Sequence, residues 1–175
     1  MKQALIRYWN APALNLSYLG MPKAGSSSVR AAIGAHPEND WTLEPTQSTT
    51  FTVLRHPVAR TVSAYVETLR RKNHWGAFAE FLRRLQDIGW FDEHAIPQSD
   101  YFRPVDRVFI LEYGDVWDWI GVDLEPRENR TTWRDGKKPV PTAEEIRIIR
   151  KLYSHDFELY RKYGGSTKIS TPQHC

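Results

Sequence analysis

Cysteine is almost missing from this chain of 175 residues: the only one, Cys175, is the last residue. That excludes an intramolecular disulfide and any cysteine-rich metal site. Long apolar runs are missing as well. The stretch MKQALIRYWNAPALNLSYLG interrupts its apolar residues with Arg7, Asn10 and Pro12, which suits neither a signal peptide nor a membrane span. No internal repeat, low-complexity block or dividing linker is present, and no tract alternates basic and aromatic residues as single-strand binders do. A net charge of +3 is compatible with an anionic ligand but too weak to demand nucleic acid. The expectation is a soluble protein of a reducing, cytoplasmic compartment, with no nucleic-acid partner and no membrane span.

The length suits one domain, 1–175, with a core of about 14–164 and a short tail at 165–175. Hydrophobic residues at 41% and charged residues at 26% are the proportions of a globular protein, so a buried core is expected. Leu14 to Leu19 reads as a strand that enters a turn at Gly20, and Ser26 to Ile33 as the helix after it, stopped by Gly34 and Pro37. Phe51 to Leu54 is a second strand, with Pro57 in the first turn of a helix carrying Val58, Val62, Tyr65 and Leu69 on one side. A further helix covers Ala77 to Leu85, where Phe78, Phe81, Leu82 and Leu85 share a face. Arg107 to Leu111 is a third strand, followed by an aromatic helix at DVWDWI. The last helix opens with a capping box, Thr142 and Glu145, and carries Ile146, Ile149 and Tyr153. Alternating strands and helices predict an α/β, three-layer, P-loop-like fold with a small, mainly parallel sheet flanked by helices.

The loop between the first strand and helix, LGMPKAGSSSVRAAI, keeps the glycine spacing of a phosphate loop at Gly20 and Gly25. Its lysine, however, precedes the second glycine, at Lys23, and Ser26 stands where a nucleotide-binding loop has lysine. A strand-to-helix junction offers backbone N–H groups to an anion. Gly25 allows close backbone approach, Ser26, Ser27 and Ser28 add hydroxyls, and Lys23 adds a mobile charge. A solvated serine-rich cap is the plainer reading of the stretch alone. Glu112 is the only acid of RVFILEY, so no acidic strand of the Mg²⁺-binding kind follows and a phosphate donor handled without metal is expected. In FTVLRHPVARTVSAY, Arg55 leaves a strand end and Ser63 lies eight residues on, in the next helix, a pairing suited to a terminal phosphate.

At this ordered pair the sequence resembles the sulfotransferase superfamily that uses 3′-phosphoadenylyl sulfate, closest to its carbohydrate branch. PKAGSSSV is similar to that family's 5′-phosphosulfate loop, and LRHPVARTVSAY to its 3′-phosphate motif. LEYGD resembles a short strand-and-turn segment, and LYSHDFELYRKYG the closing helix of the carbohydrate branch. The likeness runs from about Leu16 to Gly164. His56 replaces the family's usual Asp or Asn, Ala24 its usual Ser or Thr, and the stretch between the two motifs is short.

The resemblance implies transfer of a sulfuryl group to an acceptor hydroxyl, by default on a saccharide, with adenosine 3′,5′-bisphosphate as product and no metal. Lys23 would steady the leaving oxygen, Ala24, Gly25, Ser26, Ser27 and Ser28 would hold the 5′-phosphate, and Arg55 and Ser63 the 3′-phosphate. Three residues are candidates for the general base: Glu44 first, from AIGAHPENDWTLEP, then His36 in the same run, then His94 in HAIPQ. In this superfamily a late loop often closes over the nucleotide, which makes Arg130, Lys137 or Lys138 of NRTTWRDGKK a candidate to reach phosphate, although a solvated loop is the plainer reading. The resemblance also suggests a bacterial or viral cytoplasmic protein, or a trimmed catalytic domain, since no anchor is seen. Two other functions fit the same residues: a small-molecule P-loop kinase using ATP and Mg²⁺, and a degenerate protein that binds a nucleotide or anion without turnover.

Overall fold

The structure, a computed structural model, describes residues 4–35, 41–72, 76–122 and 138–164. The chain begins with a hairpin. Strand β1 (Tyr8–Ala11) turns through a single 3-10 turn (Pro12–Leu14) and returns antiparallel as β2 (Leu16–Leu19), Tyr8 opposite Leu19 and Ala11 opposite Leu16. Asn15 closes the turn in the left-handed region, at φ 55°, a conformation that asparagine tolerates better than most residues. The strand expected from Leu14 therefore starts two residues later, because Pro12 directs its neighbours into the turn.

After β2 comes α1 (Ser26–Ala32), then a short edge strand β3 (Trp41–Thr42), and then β4 (Thr49–Leu54). Pro57 is the first residue of α2 (Pro57–Lys72), and α3 (Phe78–Ile88) follows with Phe78, Phe81, Leu82 and Leu85 buried and Ile88 exposed. The short α4 (Gln98–Tyr101) leads to β5 (Arg107–Ile110) and α5 (Asp115–Ile120). Helix α6 (Ala143–Leu152) starts at the expected capping box: Thr142 N–H donates to Glu145 Oε2 at 2.7 Å, and Glu145 N–H to Thr142 Oγ1 at 3.2 Å. The chain does not continue as one helix. Tyr153 leaves helical geometry, its hydroxyl donating to the Ala95 carbonyl at 2.7 Å, and α7 (Ser154–Gly164) begins after it.

The sheet runs β3-β1-β2-β4-β5. β2 and β4 pair in parallel, as do β4 and β5, while both pairings of β1 are antiparallel. The chain is thus α/β, with a five-strand mixed sheet flanked by helices, and the expectation of a mainly parallel sheet is corrected. The reason is local: a hairpin can only pair antiparallel, whereas parallel partners need a crossover of a dozen residues or more.

Alternation sorts the strand residues. Trp9, Tyr18, Phe51, Val53 and Phe109 face α1 and α5, where Val29, Ile33 and Trp117 meet them. Tyr8, Leu19, Leu54 and Ile110 face the opposite way, toward Tyr101 of α4 and Leu159 and Tyr160 of α7. Helices α2, α3 and α6 share a third cluster around Tyr65, Phe81, Leu85 and Ile149.

Candidate functional site

The carboxyl ends of β2, β4 and β5 open onto one cavity of about 580 Å³, within the range of small-molecule sites. Its lining includes Lys23, Gly25, Ser26, Ser27 and Ser28 from the loop after β2 and the start of α1. Arg55 joins it from the end of β4, Ser63 from α2, and His94 from the turn before α4. The structure therefore brings two sequence-distant motifs to one place. A direct bond joins them, Arg55 Nη1 donating to the Lys23 carbonyl at 3.1 Å.

Backbone geometry in the loop has specific causes. Lys23 sits at φ 63°, unusual for a residue with a side chain, and Gly25 at φ 79°. Such a lysine costs about 1–2 kcal/mol of local backbone energy, a strain that clusters at functional sites. Gly25 is required twice over: its φ favours glycine, and a Cβ there would come within 2.9 Å of Leu111. Gly20 has a different reason. A Cβ at Gly20 would lie 1.9 Å from the Trp9 ring, so this glycine admits an indole rather than a phosphate.

The lining is strongly cationic. Arg7, Arg30, Arg70, Arg71 and Lys138 join Lys23 and Arg55, while the carboxylates are Glu67 and Glu93. Lys23 Nζ pairs with Glu67 Oε2 at 3.3 Å, each side chain only 16% exposed. Burial pushes the Lys23 ammonium down, Glu67 opposes this, and Arg55 and Arg70 add to the fall. Burial pushes the Glu67 carboxyl up, but Lys23 and Arg71 outweigh it and hold the group below the usual carboxylate range. Burial likewise lowers Arg55, partly offset by Glu112, whose Oε1 lies 3.9 Å from Arg55 Nε. Among the described residues, the buried side-chain nitrogens without a hydrogen-bond partner are Arg7 Nε, Trp9 Nε1 and Arg55 Nε. All three belong to residues that line this cavity. Buried donors without partners are rare in native proteins, and their gathering here is a site-level feature.

The arginine is held by its own backbone. Gln98 Oε1 accepts the Arg55 N–H at 3.2 Å and Gln98 Nε2 donates to the Arg55 carbonyl at 2.9 Å, so the glutamine of HAIPQ serves to fix Arg55. Next to it, His56 packs edge-on against Phe157 and Tyr160 of α7, at 5.6 and 5.1 Å between ring centres. Burial pushes this imidazole down, and Arg150 adds to the effect. The His56 N–H donates to Glu112 at 3.1 Å, so the acid of LEYGD supports the start of α2.

Other expected residues lie elsewhere. Ala24 is buried in the core and its side chain does not line the cavity; its N–H donates to the Met21 carbonyl. Glu44 is exposed and outside the lining, on the loop after β3, with its carbonyl accepting from Thr42 Oγ1. His36, Arg130 and Lys137 lie outside the described residues, whereas Lys138 lines the cavity. Among the described residues no group of three His, Cys, Asp or Glu residues is arranged to hold a metal ion.

Two residues that sequence reasoning passed over matter here. Glu67 lies four residues after Ser63, on the same side of α2, and gathers Arg70 at 3.5 Å and Arg71 at 3.1 Å besides Lys23. The helical i, i+4 spacing from Ser63 was the available signal. Asp92 stands beside His94, with Oδ1 2.7 Å from Nδ1, and nothing in FDEH except proximity marks the pair. No protein-family model matches this chain, and no curated protein matches it.

Proposed function

We propose that this protein is a sulfotransferase that moves a sulfuryl group from 3′-phosphoadenylyl sulfate to an acceptor hydroxyl, by default on a saccharide, in a three-layer P-loop-like fold. One observation carries the reading: Lys23 and Arg55, from the ends of adjacent parallel strands, converge on one cation-rich cavity and are bonded to each other through the Lys23 carbonyl. A ligand with phosphates at two ends suits two separate cationic grips, and Arg55 Nε, which makes no hydrogen bond and has Glu112 only at 3.9 Å, is a donor in reserve at one of them. The resemblance to the sulfotransferase motifs points to the same ligand.

The donor supplies an activated sulfuryl group joined to a phosphate. In this reading Gly25, Ser26, Ser27 and Ser28 hold the 5′-phosphate and Arg55 with Ser63 the 3′-phosphate. Lys23 steadies the bridging oxygen as it gains charge. Positioning and electrostatics do most of the work, as in phosphoryl transfer. Of the two weighed bases among the described residues, Glu44 and His94, it is His94 that lines the cavity, so the reading assigns the acceptor proton to His94. His94→Gln is expected to lower turnover about 100-fold or more. Glu44→Gln is expected to keep near-parental turnover in the same assay; a large loss there would return the base to Glu44.

Calorimetry with adenosine 3′,5′-bisphosphate in metal-free buffer tests the reading. Binding without added metal is expected, weakened at least tenfold in Arg55→Ala. Absence of binding by well-folded protein overturns it. Mg²⁺-dependent binding of ATP instead would indicate a kinase, and nucleotide binding without transfer to any acceptor hydroxyl would indicate a degenerate binder.

A further inference from the structure

His94 and Asp92 occupy the turn between α3 and α4, joined twice through one oxygen. Asp92 Oδ1 accepts the His94 backbone N–H at 2.9 Å and lies 2.7 Å from His94 Nδ1. The aspartate is 6% exposed, and its main chain is engaged as well, the carbonyl accepting from the Ala95 N–H at 3.0 Å. The bond to His94 holds the Asp92 carboxyl down to about 2 against the opposing effect of burial, with Arg71 assisting. An ionised carboxylate has only lone pairs to offer. At 2.7 Å from it, Nδ1 must carry a proton, since two facing lone pairs would repel. Nε2 of the neutral ring is then the unprotonated nitrogen.

We propose that Asp92 is a positioning residue that fixes His94 in the Nδ1–H tautomer, leaving Nε2 to take the proton of the acceptor hydroxyl. The proposal rests on the sulfuryl-transfer reading. In the step, the acceptor oxygen forms a bond to sulfur while its proton passes to His94 Nε2. The bond between sulfur and the bridging phosphate oxygen breaks, and its electron pair stays on that oxygen beside Lys23. The imidazolium that results is stabilised by Asp92.

Other charges bear on this ring. Glu67 and Arg71 approach from α2, and Glu93 adjoins it in the turn, bridged to Arg71 at 3.6 Å. The carboxylates stabilise the imidazolium formed in the step and Arg71 opposes it.

The two variants separate charge from orientation. In Asp92→Asn, the His94 backbone N–H still selects the side-chain oxygen, so Nδ1–H keeps its acceptor and the tautomer persists. In Asp92→Ala both are lost, the ring relaxes toward the Nε2–H tautomer, and plateau kcat is expected to fall about 10- to 100-fold. Nitrogen-15 NMR of the histidine side chains reads the tautomer without any assay of transfer. Expected is an unprotonated Nε2 at His94 in the parent and in Asp92→Asn, and a protonated one in Asp92→Ala. A parent ring already in the Nε2–H form overturns the proposal, as does an unaltered tautomer in Asp92→Ala. Should the alanine variant not fold, the tautomers read in the parent and in Asp92→Asn decide. Calorimetry with adenosine 3′,5′-bisphosphate on the same samples keeps the two failures apart: binding with a wrong tautomer sinks only the role of Asp92, whereas a parent that does not bind sinks the transfer reading beneath it.

Discussion

Lys23→Ala is expected to lower sulfuryl turnover by about 100- to 1000-fold, the usual effect of deleting one preorganised donor to a developing oxyanion. Affinity for adenosine 3′,5′-bisphosphate is expected to fall by much less. The reason is differential: the bridging oxygen carries more charge in the transition state than before it, so an ammonium aimed there acts mainly on rate. The fold has little at stake. Alanine at φ 63° is strained about as much as lysine, and Glu67 keeps Arg70 and Arg71 as partners once Nζ is gone. Steady-state transfer rates beside thermal melts of parent and variant make the comparison. Near-parental turnover in folded Lys23→Ala would remove Lys23 from the chemistry and leave the strained loop without a purpose.

Asp156→Ala should produce the largest loss of stability, about 3–5 kcal/mol, the range found when one partner of a buried ion pair is removed. Asp156 is fully buried, and Arg60, 1% exposed, approaches it to 4.0 Å. The carboxylate also accepts the Gln98 N–H at 2.9 Å and the Ser99 N–H at 2.8 Å, the first turn of α4. The alanine variant thus strands a buried guanidinium and orphans two backbone donors together. Against the 5–15 kcal/mol that holds a domain, that loss is severe. It should also reach the cavity. Arg60 Nε donates to the Pro22 carbonyl at 3.0 Å and Nη2 to the Ile96 carbonyl at 2.7 Å, so one side chain ties the Lys23 loop to the turn that carries His94. Urea unfolding measures the first effect, and nucleotide calorimetry in the absence of urea the second. A loss below about 1 kcal/mol would mean that the pair is not the anchor its burial implies.

The elements legible in the sequence were those written in local chemistry. The stripe Phe78, Phe81, Leu82 and Leu85 announces α3, Pro57 announces the start of α2, and Thr142 with Glu145 announces α6. Each signal sits within a turn or two of the element it specifies. β1 was not legible because its four residues end at a proline and are buried on both faces, which removes the alternation that marks a strand. The break at Tyr153 was hidden for the opposite reason: the helical pattern continues across it, while a hydroxyl bond to Ala95, far away in the chain, decides the geometry.

The same division holds at the site. Lys23, Gly25, the serines, Arg55 and Ser63 stand out by type and spacing, because an anion needs donors at a strand-to-helix junction and the glycine needs its φ. Three facts required the folded chain: that Gly20 makes room for Trp9, that Glu67 pairs with Lys23, and that His94 lines the cavity while Glu44 does not. These are contacts between residues in different elements of the chain, and no local pattern encodes which surfaces meet. Sequence alone determined α1, α2, α3, α5 and the start of α6, the strand-and-loop motifs and the chemical types gathered for phosphate. Tertiary structure decided the mixed sheet and the company each charge keeps, since burial and pairing depend on distances that exist only after the strands have assembled.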